Sequence, residues 1–125
     1  MSKNRRLLSS FKYAFTGLKE AIHKEPNFRI HASVGIFVII LGAFLRVDRV
    51  EWVILTLTIA FVLILELLNT TLEALVDIVS PHHHDSAKLA KDVAAAAVML
   101  GALTSVVVGA LIFIPRLIEL LSDRL

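Results

Sequence analysis

Four residues whose side chains can do chemistry recur at helical spacing in the middle of the chain. Glu66, Asn69, Glu73 and Asp77 stand three, four and four residues apart. On a helix they fall within an arc of roughly 80° and span about 16 Å along its axis. The residues before them, Trp52 to Leu65, carry no charge, and such a run suits only lipid or a dry core. Polar groups in that setting are expensive, so they face partners, ions or substrate. Carboxylates and an amide oxygen are hard donors, suited to Mg²⁺ and poorly suited to zinc or copper. Glu66 lies deepest in the apolar run, where loss of water makes a carboxylate a good proton acceptor.

Two further polar sets border apolar runs and should meet the same surface. Glu25, Asn27 and Arg29 precede the first run; Lys88, Lys91 and Asp92 precede the last. Basic side chains there suit phosphate. Carboxylates for Mg²⁺, a lysine for phosphate and a base at the lipid boundary are the parts of phosphoryl transfer to a hydroxyl at headgroup level. No nucleotide motif supports this independently, because Gly17, Gly35, Gly42, Gly101 and Gly109 make neither a P-loop nor a kinase-type glycine-rich loop. The residues alone leave two other readings open. One is a small oligomeric ion or proton conductor lined by the stripe; the other is a non-catalytic partner of membrane proteins. Against the conductor, the acids cluster at one end of their helix and the other half offers no polar path. His82, His83 and His84 are consecutive in a loop, rarely converge on one ion in such a place, and read as solvent-facing.

The elements that position these residues follow from hydropathy. The 125 residues allow one domain, 1–125, and 57% of them are hydrophobic, with a mean hydropathy of +0.78. A soluble fold of this length could not hide that much apolar surface, so the expectation is an all-α membrane protein. Residues 4–24 place Leu7, Leu8, Phe11, Phe15, Leu18 and Ile22 on one side and Arg5, Lys12, Lys19 and His23 on the other. That pattern predicts an amphipathic helix lying in the interface of anionic membrane lipids, and it fits nucleic acid less well. Pro26 then redirects the chain and biases Glu25 away from helical geometry. Three transmembrane helices are expected, over about 28–45, 52–80 and 93–114, with Pro115 and a short charged tail closing the chain. Arg29 and His31 are expected at the headgroups, Phe28 and Trp52 as interface anchors, and Asp85 or Ser86 as the cap of the third span.

Lysine and arginine counts set the orientation. The amino-terminal segment holds seven and the His-containing loop holds Lys88 and Lys91, while the turn (Arg46, Arg49) and the tail (Arg116, Arg124) hold two each. The positive-inside rule puts the amino terminus, that loop and the polar site in the cytoplasm. Ala97, Gly101, Ser105 and Gly109 form a small-residue ridge, suited to close helix packing and to homo-oligomerisation. No cysteine is present, so thiolate chemistry is excluded. No secretory signal is evident, since the first strongly apolar run begins near Ile30 without a cleavage site.

Glu66-Leu-Leu-Asn-Thr-Thr-Leu-Glu-Ala-Leu-Val-Asp77, followed by Ala90-Lys-Asp-Val-Ala-Ala-Ala-Ala-Val98, resembles the signature of the prokaryotic diacylglycerol kinase family of small integral-membrane lipid kinases. The resemblance extends through Tyr13-Ala-Phe-Thr-Gly-Leu18 and Glu25-Pro-Asn-Phe-Arg-Ile-His31 and covers nearly the whole chain. It implies a homotrimer in the bacterial inner membrane with composite, cytoplasmic active sites, using ATP and Mg²⁺ on a lipid alcohol. It carries the general-base role to Glu66 and metal binding to Glu25 and Glu73. Asn69, Asp77, Lys91 and Asp92 match nucleotide, phosphate and site-organising positions; Arg6, Tyr13 and Gly17 fall where the surface helix helps to cover ATP. Asn27-Phe-Arg-Ile-His31 is similar to the branch that phosphorylates undecaprenol. The diacylglycerol branch tends to carry glutamate where this chain has His31 and tryptophan where it has Phe15. Ala96, where the undecaprenol branch often has glycine, points the other way. The resemblance therefore implies undecaprenol as acceptor, with diacylglycerol, giving phosphatidic acid, as the alternative.

Overall fold

The computed structural model describes residues 3–122, and the tail residue Arg124 lies outside them. Within that range the chain forms four helices: α1 (Lys3–Lys24), α2 (Pro26–Phe44), α3 (Arg49–Val79) and α4 (Asp85–Ser122). The last three are long and apolar enough to cross a membrane, which makes this a multi-pass membrane protein with one extra amino-terminal helix. Most of their large hydrophobic side chains face outward, as expected where lipid is the solvent.

Helix α1 leaves Leu7, Leu8, Phe11 and Phe15 exposed and, among its described side chains, buries Ala21 alone. Its Glu20 and Lys24 pair at 2.7 Å; the hydrogen bond to Lys24 holds the Glu20 carboxyl below its usual range and raises the lysine in turn. Glu25 is extended (φ −102°, ψ 105°) and Pro26 opens α2, as the restriction before proline requires. Arg29 does not sit free among headgroups. Its Nη1 donates to the Ile22 and His23 carbonyls at 3.2 and 2.9 Å, satisfying the orphan acceptors at the end of α1.

Helices α2 and α3 pack antiparallel through glycines. A Cβ on Gly42 would meet the Trp52 ring at 3.1 Å, and one on Gly35 would meet Ile59 at 2.9 Å. Each step of seven residues along α2 is thus matched by seven along α3, and one further step puts Phe28 level with Glu66. Phe28 is 3% exposed, so it is a core contact rather than an interface anchor. Trp52 is likewise half-buried and packs against the core at the opposite end. Gly101 of the small-residue ridge is consumed within the chain, against Leu65 and Phe61 of α3.

The α2–α3 turn is closed by local rules. Val47 N–H donates to the Gly42 carbonyl (3.1 Å) and Arg46 N–H to that of Ala43 (3.3 Å). This is a Schellman ending, with Arg46 in the left-handed position at φ 53°. Asp48 caps α3 through a reciprocal box with Glu51, at 2.9 and 2.8 Å. Leu45, Val47, Leu55, Ile112 and Phe113 form a small core here.

Two expectations for α4 are corrected. Its cap is His84, whose Nδ1 accepts from Ser86 N–H at 3.2 Å, while Asp85 is already helical. Nor does Pro115 end it: the helix runs on to Ser122. An interior proline costs about 3 kcal/mol. Here Arg116 bonds Glu51 and the Arg46 carbonyl, and Leu120 packs on the core, contacts that hold the last turns in place.

Candidate active site

The stripe on α3 is one face graded by depth. Glu66 is 2% exposed, the one buried charged side chain among the described residues. Asn69 and Glu73 are half-buried and Asp77 is exposed. The grading follows from packing: Leu55, Val62 and Glu66 lie on the buried face of α3, and Phe28 covers the level of Glu66. No hydrogen bond or ion pair reaches the Glu66 carboxylate from the described residues. His31 follows Phe28 by one turn on the same face of α2, so that face of α2 meets α3 at the level of Glu66.

One turn on, Asn69 Nδ2 donates to Glu73 Oε1 at 3.2 Å. Its Oδ1 is buried without a donor. Leaving an acceptor so costs about 1–3 kcal/mol, and such exceptions in native structures concentrate at sites that take an ion or ligand. Glu25 is half-buried, and its side chain makes no cap bond to α2. Glu25, Glu73 and Asn69 Oδ1 are hard oxygen donors with spare capacity, a set that fits Mg²⁺. They are not gathered into a finished cage, since no group of three or more His, Cys, Asp or Glu is preassembled among the described residues.

Two cavities flank the stripe. One, of about 320 Å³, lies between α1 and α3 and is lined by Gly17, Glu20, Glu25, Thr70 and Thr71. The other, of about 300 Å³, lies at the α3–α4 loop and joins Asp77, Lys91 and Asp92 to Lys88 and the three histidines. Lys91 Nζ binds Asp77 Oδ1 at 2.5 Å, and that ion pair ties α4 to the exposed end of the stripe. Asp92 in addition pairs with Lys88 at 2.7 Å on an exposed helix face. Tyr13 is 73% exposed and Arg6 is exposed as well, and neither side chain forms a hydrogen bond or ion pair among the described residues. His83 lies 3.6 Å from Asp85 and His84 caps α4, so the histidine run is spent on local contacts.

Sequence reasoning left Thr70 and Thr71 out of the site and read His31 as an interfacial or substrate-facing residue. The signal for His31 was its position three residues after Phe28, which keeps both on the buried face of α2.

A helical membrane protein of three spans, with oxygen acceptors massed at one membrane face beside an amphipathic helix, has the form of an enzyme acting on lipid. Residues 12–113 match the prokaryotic diacylglycerol kinase family, and the chain belongs to that family of lipid kinases. It is 44% identical to a diacylglycerol kinase of Synechocystis sp. over 116 residues, 92% of this chain and 66% of that protein. The chain thus spans just under two thirds of that relative's length. It is 42% identical to an undecaprenol kinase of Bacillus subtilis over 112 residues, 90% of this chain and 91% of the relative. A diacylglycerol kinase of Helicobacter pylori is 36% identical over 97 residues, 78% and 76% of the two chains.

Proposed function

We propose that the protein transfers the γ-phosphoryl group of ATP to the hydroxyl of a membrane lipid alcohol, with undecaprenol as acceptor and undecaprenyl phosphate as product. The observation that carries this reading is Glu66, a carboxylate 2% exposed at the lipid-side end of a stripe of oxygen donors. A base so placed suits an acceptor that cannot leave the bilayer. Its carboxylate takes the hydroxyl proton as the lipid oxygen forms its bond to the γ-phosphorus. The bond from that phosphorus to the bridging oxygen breaks, and ADP leaves. Mg²⁺, when bound, supplies neutralisation of phosphate charge, and Glu25 and Glu73 are the residues to hold it, with Asn69 beside them. Lys91 is paired with Asp77 and can exchange that carboxylate for phosphate. Gly17 lines the α1 cavity, and Tyr13 and Arg6 on the same helix serve the nucleotide. Since both lie away from the stripe of their own chain, a homotrimer in which neighbouring copies complete each site fits them best. The site faces the cytoplasm, where ATP is.

Diacylglycerol is the second reading, favoured by the relatives from Synechocystis sp. and Helicobacter pylori that carry that name. A parallel assay in mixed micelles, with Mg·ATP and each lipid alcohol, tests both. Preferential phosphorylation of undecaprenol is expected. A sample that binds Mg·ATP and phosphorylates neither lipid overturns the proposal.

A further inference from the structure

Helix α1 carries Gly17, Tyr13 and Arg6, yet among its described side chains it is buried only in its last turns, at Ala21. Further back, a cavity of about 320 Å³ lies between Gly17 and Glu20 on one side and Thr70 and Thr71 of α3 on the other. The exposed apolar side chains Leu7, Leu8, Phe11 and Phe15 keep α1 at the level of the membrane interface. A lipid surface fixes that depth and leaves the helix free to swing in the membrane plane.

The pivot of such a swing is Glu25, the single residue between α1 and α2. Gly17, Tyr13 and Arg6 stand eight, twelve and nineteen residues before it. A swing of about 10° would displace them by about 2, 3 and 5 Å at the helical rise. A misplacement of about 1 Å can cost 10²-fold in rate, so the angle of α1 has to be held.

The structure shows what holds it. The Ala21 carbonyl accepts from Glu25 N–H at 2.9 Å. The Ile22 carbonyl would take its helical donor from residue 26, which is a proline without an N–H. Arg29 supplies the missing donor from the next helix, with Nη1 at 3.2 Å from the Ile22 carbonyl and 2.9 Å from that of His23. Its own backbone is fixed in α2: Arg29 N–H donates to the Glu25 carbonyl at 3.3 Å, and the Ser33 hydroxyl donates to the Arg29 carbonyl at 2.7 Å. The guanidinium therefore bridges the pivot from one helix to the other. Its charge also faces the negative end of the α1 dipole.

We propose that Arg29 is a positioning residue for the nucleotide side of the site. It locks the angle of α1 on α2, and thereby sets where Gly17, Tyr13 and Arg6 meet the nucleotide and where Glu25 offers its carboxylate to Mg²⁺. This rests on the kinase reading above. Arg29 acts through the carbonyls of its own chain and takes no part in the transfer.

The test compares wild type, Arg29→Met and Arg29→Lys in mixed micelles. The chain has no cysteine, so spin labels on Lys12→Cys of α1 and Ile36→Cys of α2, diluted with unlabelled chain, report the helix angle without turnover. In Arg29→Met the label distances should broaden and KM for Mg·ATP should rise about tenfold or more. KM for the lipid alcohol and the melting temperature should stay near wild type. Arg29→Lys keeps a cation with donors and should recover part of both effects. An unchanged KM for Mg·ATP in Arg29→Met overturns the proposal. A raised KM with unchanged label distances also overturns it, because Arg29 would then act on the nucleotide directly. Equal rises in the two KM values overturn it as well, and so does an Arg29→Lys enzyme no better than Arg29→Met. A wild type that phosphorylates neither lipid fails earlier, at the kinase reading, while the label distances still report whether Arg29 holds α1.

Discussion

The two ends of the helical bundle handle charge in opposite ways. At the α2–α3 turn the acids are partnered: Arg116 binds Glu51, lies 3.8 Å from Asp48 and donates to the Arg46 carbonyl, while Asp48 and Glu51 cap α3 between them. At the α1 end, among the described residues, Glu66 is buried with no donor bonded to it, Asn69 Oδ1 is orphaned, and the Glu25 side chain makes no cap bond to α2. A closed network of donors and acceptors fixes geometry. Acceptors concentrated without donors destabilise a fold unless a cation or substrate uses them. The first end holds the helices and the second is where we propose the chemistry, and the same residue types stand at both.

The sharpest way to break that comparison is Glu66→Gln. It should lower transfer by about 10²–10⁴-fold, the range for loss of a general base, while Mg·ATP binding and the melting temperature stay near wild type. An active Glu66→Gln enzyme would return Glu66 to a structural role. Next in size is Phe28→Ala, which removes the buried ring at the level of Glu66. It should cost about 3 kcal/mol of stability, read by thermal melting in detergent, and should impair transfer as well. Arg116→Met acts at the other end. It leaves Glu51 half-buried without its cation, so melting should fall clearly, while kcat and KM measured well below the transition stay unchanged. If activity fell as steeply as stability, the two ends would not be separable. The smallest effect is expected for Arg46→Gly, which relieves a left-handed residue and should raise stability by about 1 kcal/mol or less, with no kinetic consequence.

Much of this was legible in the order of residues. The stripe, its depth order and the three spans came from period and hydropathy, and the break at Glu25-Pro26 came from the steric rule for residues before proline. The capping box at Asp48 and Glu51 obeys an equally local rule. Other features were not legible. Arg29 read as a headgroup residue and caps α1 instead. Phe28 read as an anchor and is buried. Pro115 read as an ending and lies inside a helix. In each case the deciding contact lies on another element or depends on which face of a helix is covered. Hydropathy cannot supply that in a chain where lipid-facing and core-facing residues are equally apolar.

The sequence by itself determined which residues share a face, because helical period is a property of a few consecutive residues and needs no partner. It determined also that the chain lives in a membrane, since no fold of this length could bury that apolar surface. Only the tertiary structure decided which face is covered and by what. The seven-residue register of α2 on α3 places Phe28 at the level of Glu66, with His31 one turn further along α2. Glu51 meets Arg116 across 65 residues of chain. Such contacts depend on the close approach of helices at Gly35, Gly42 and Gly101, a packing relation that no local rule contains.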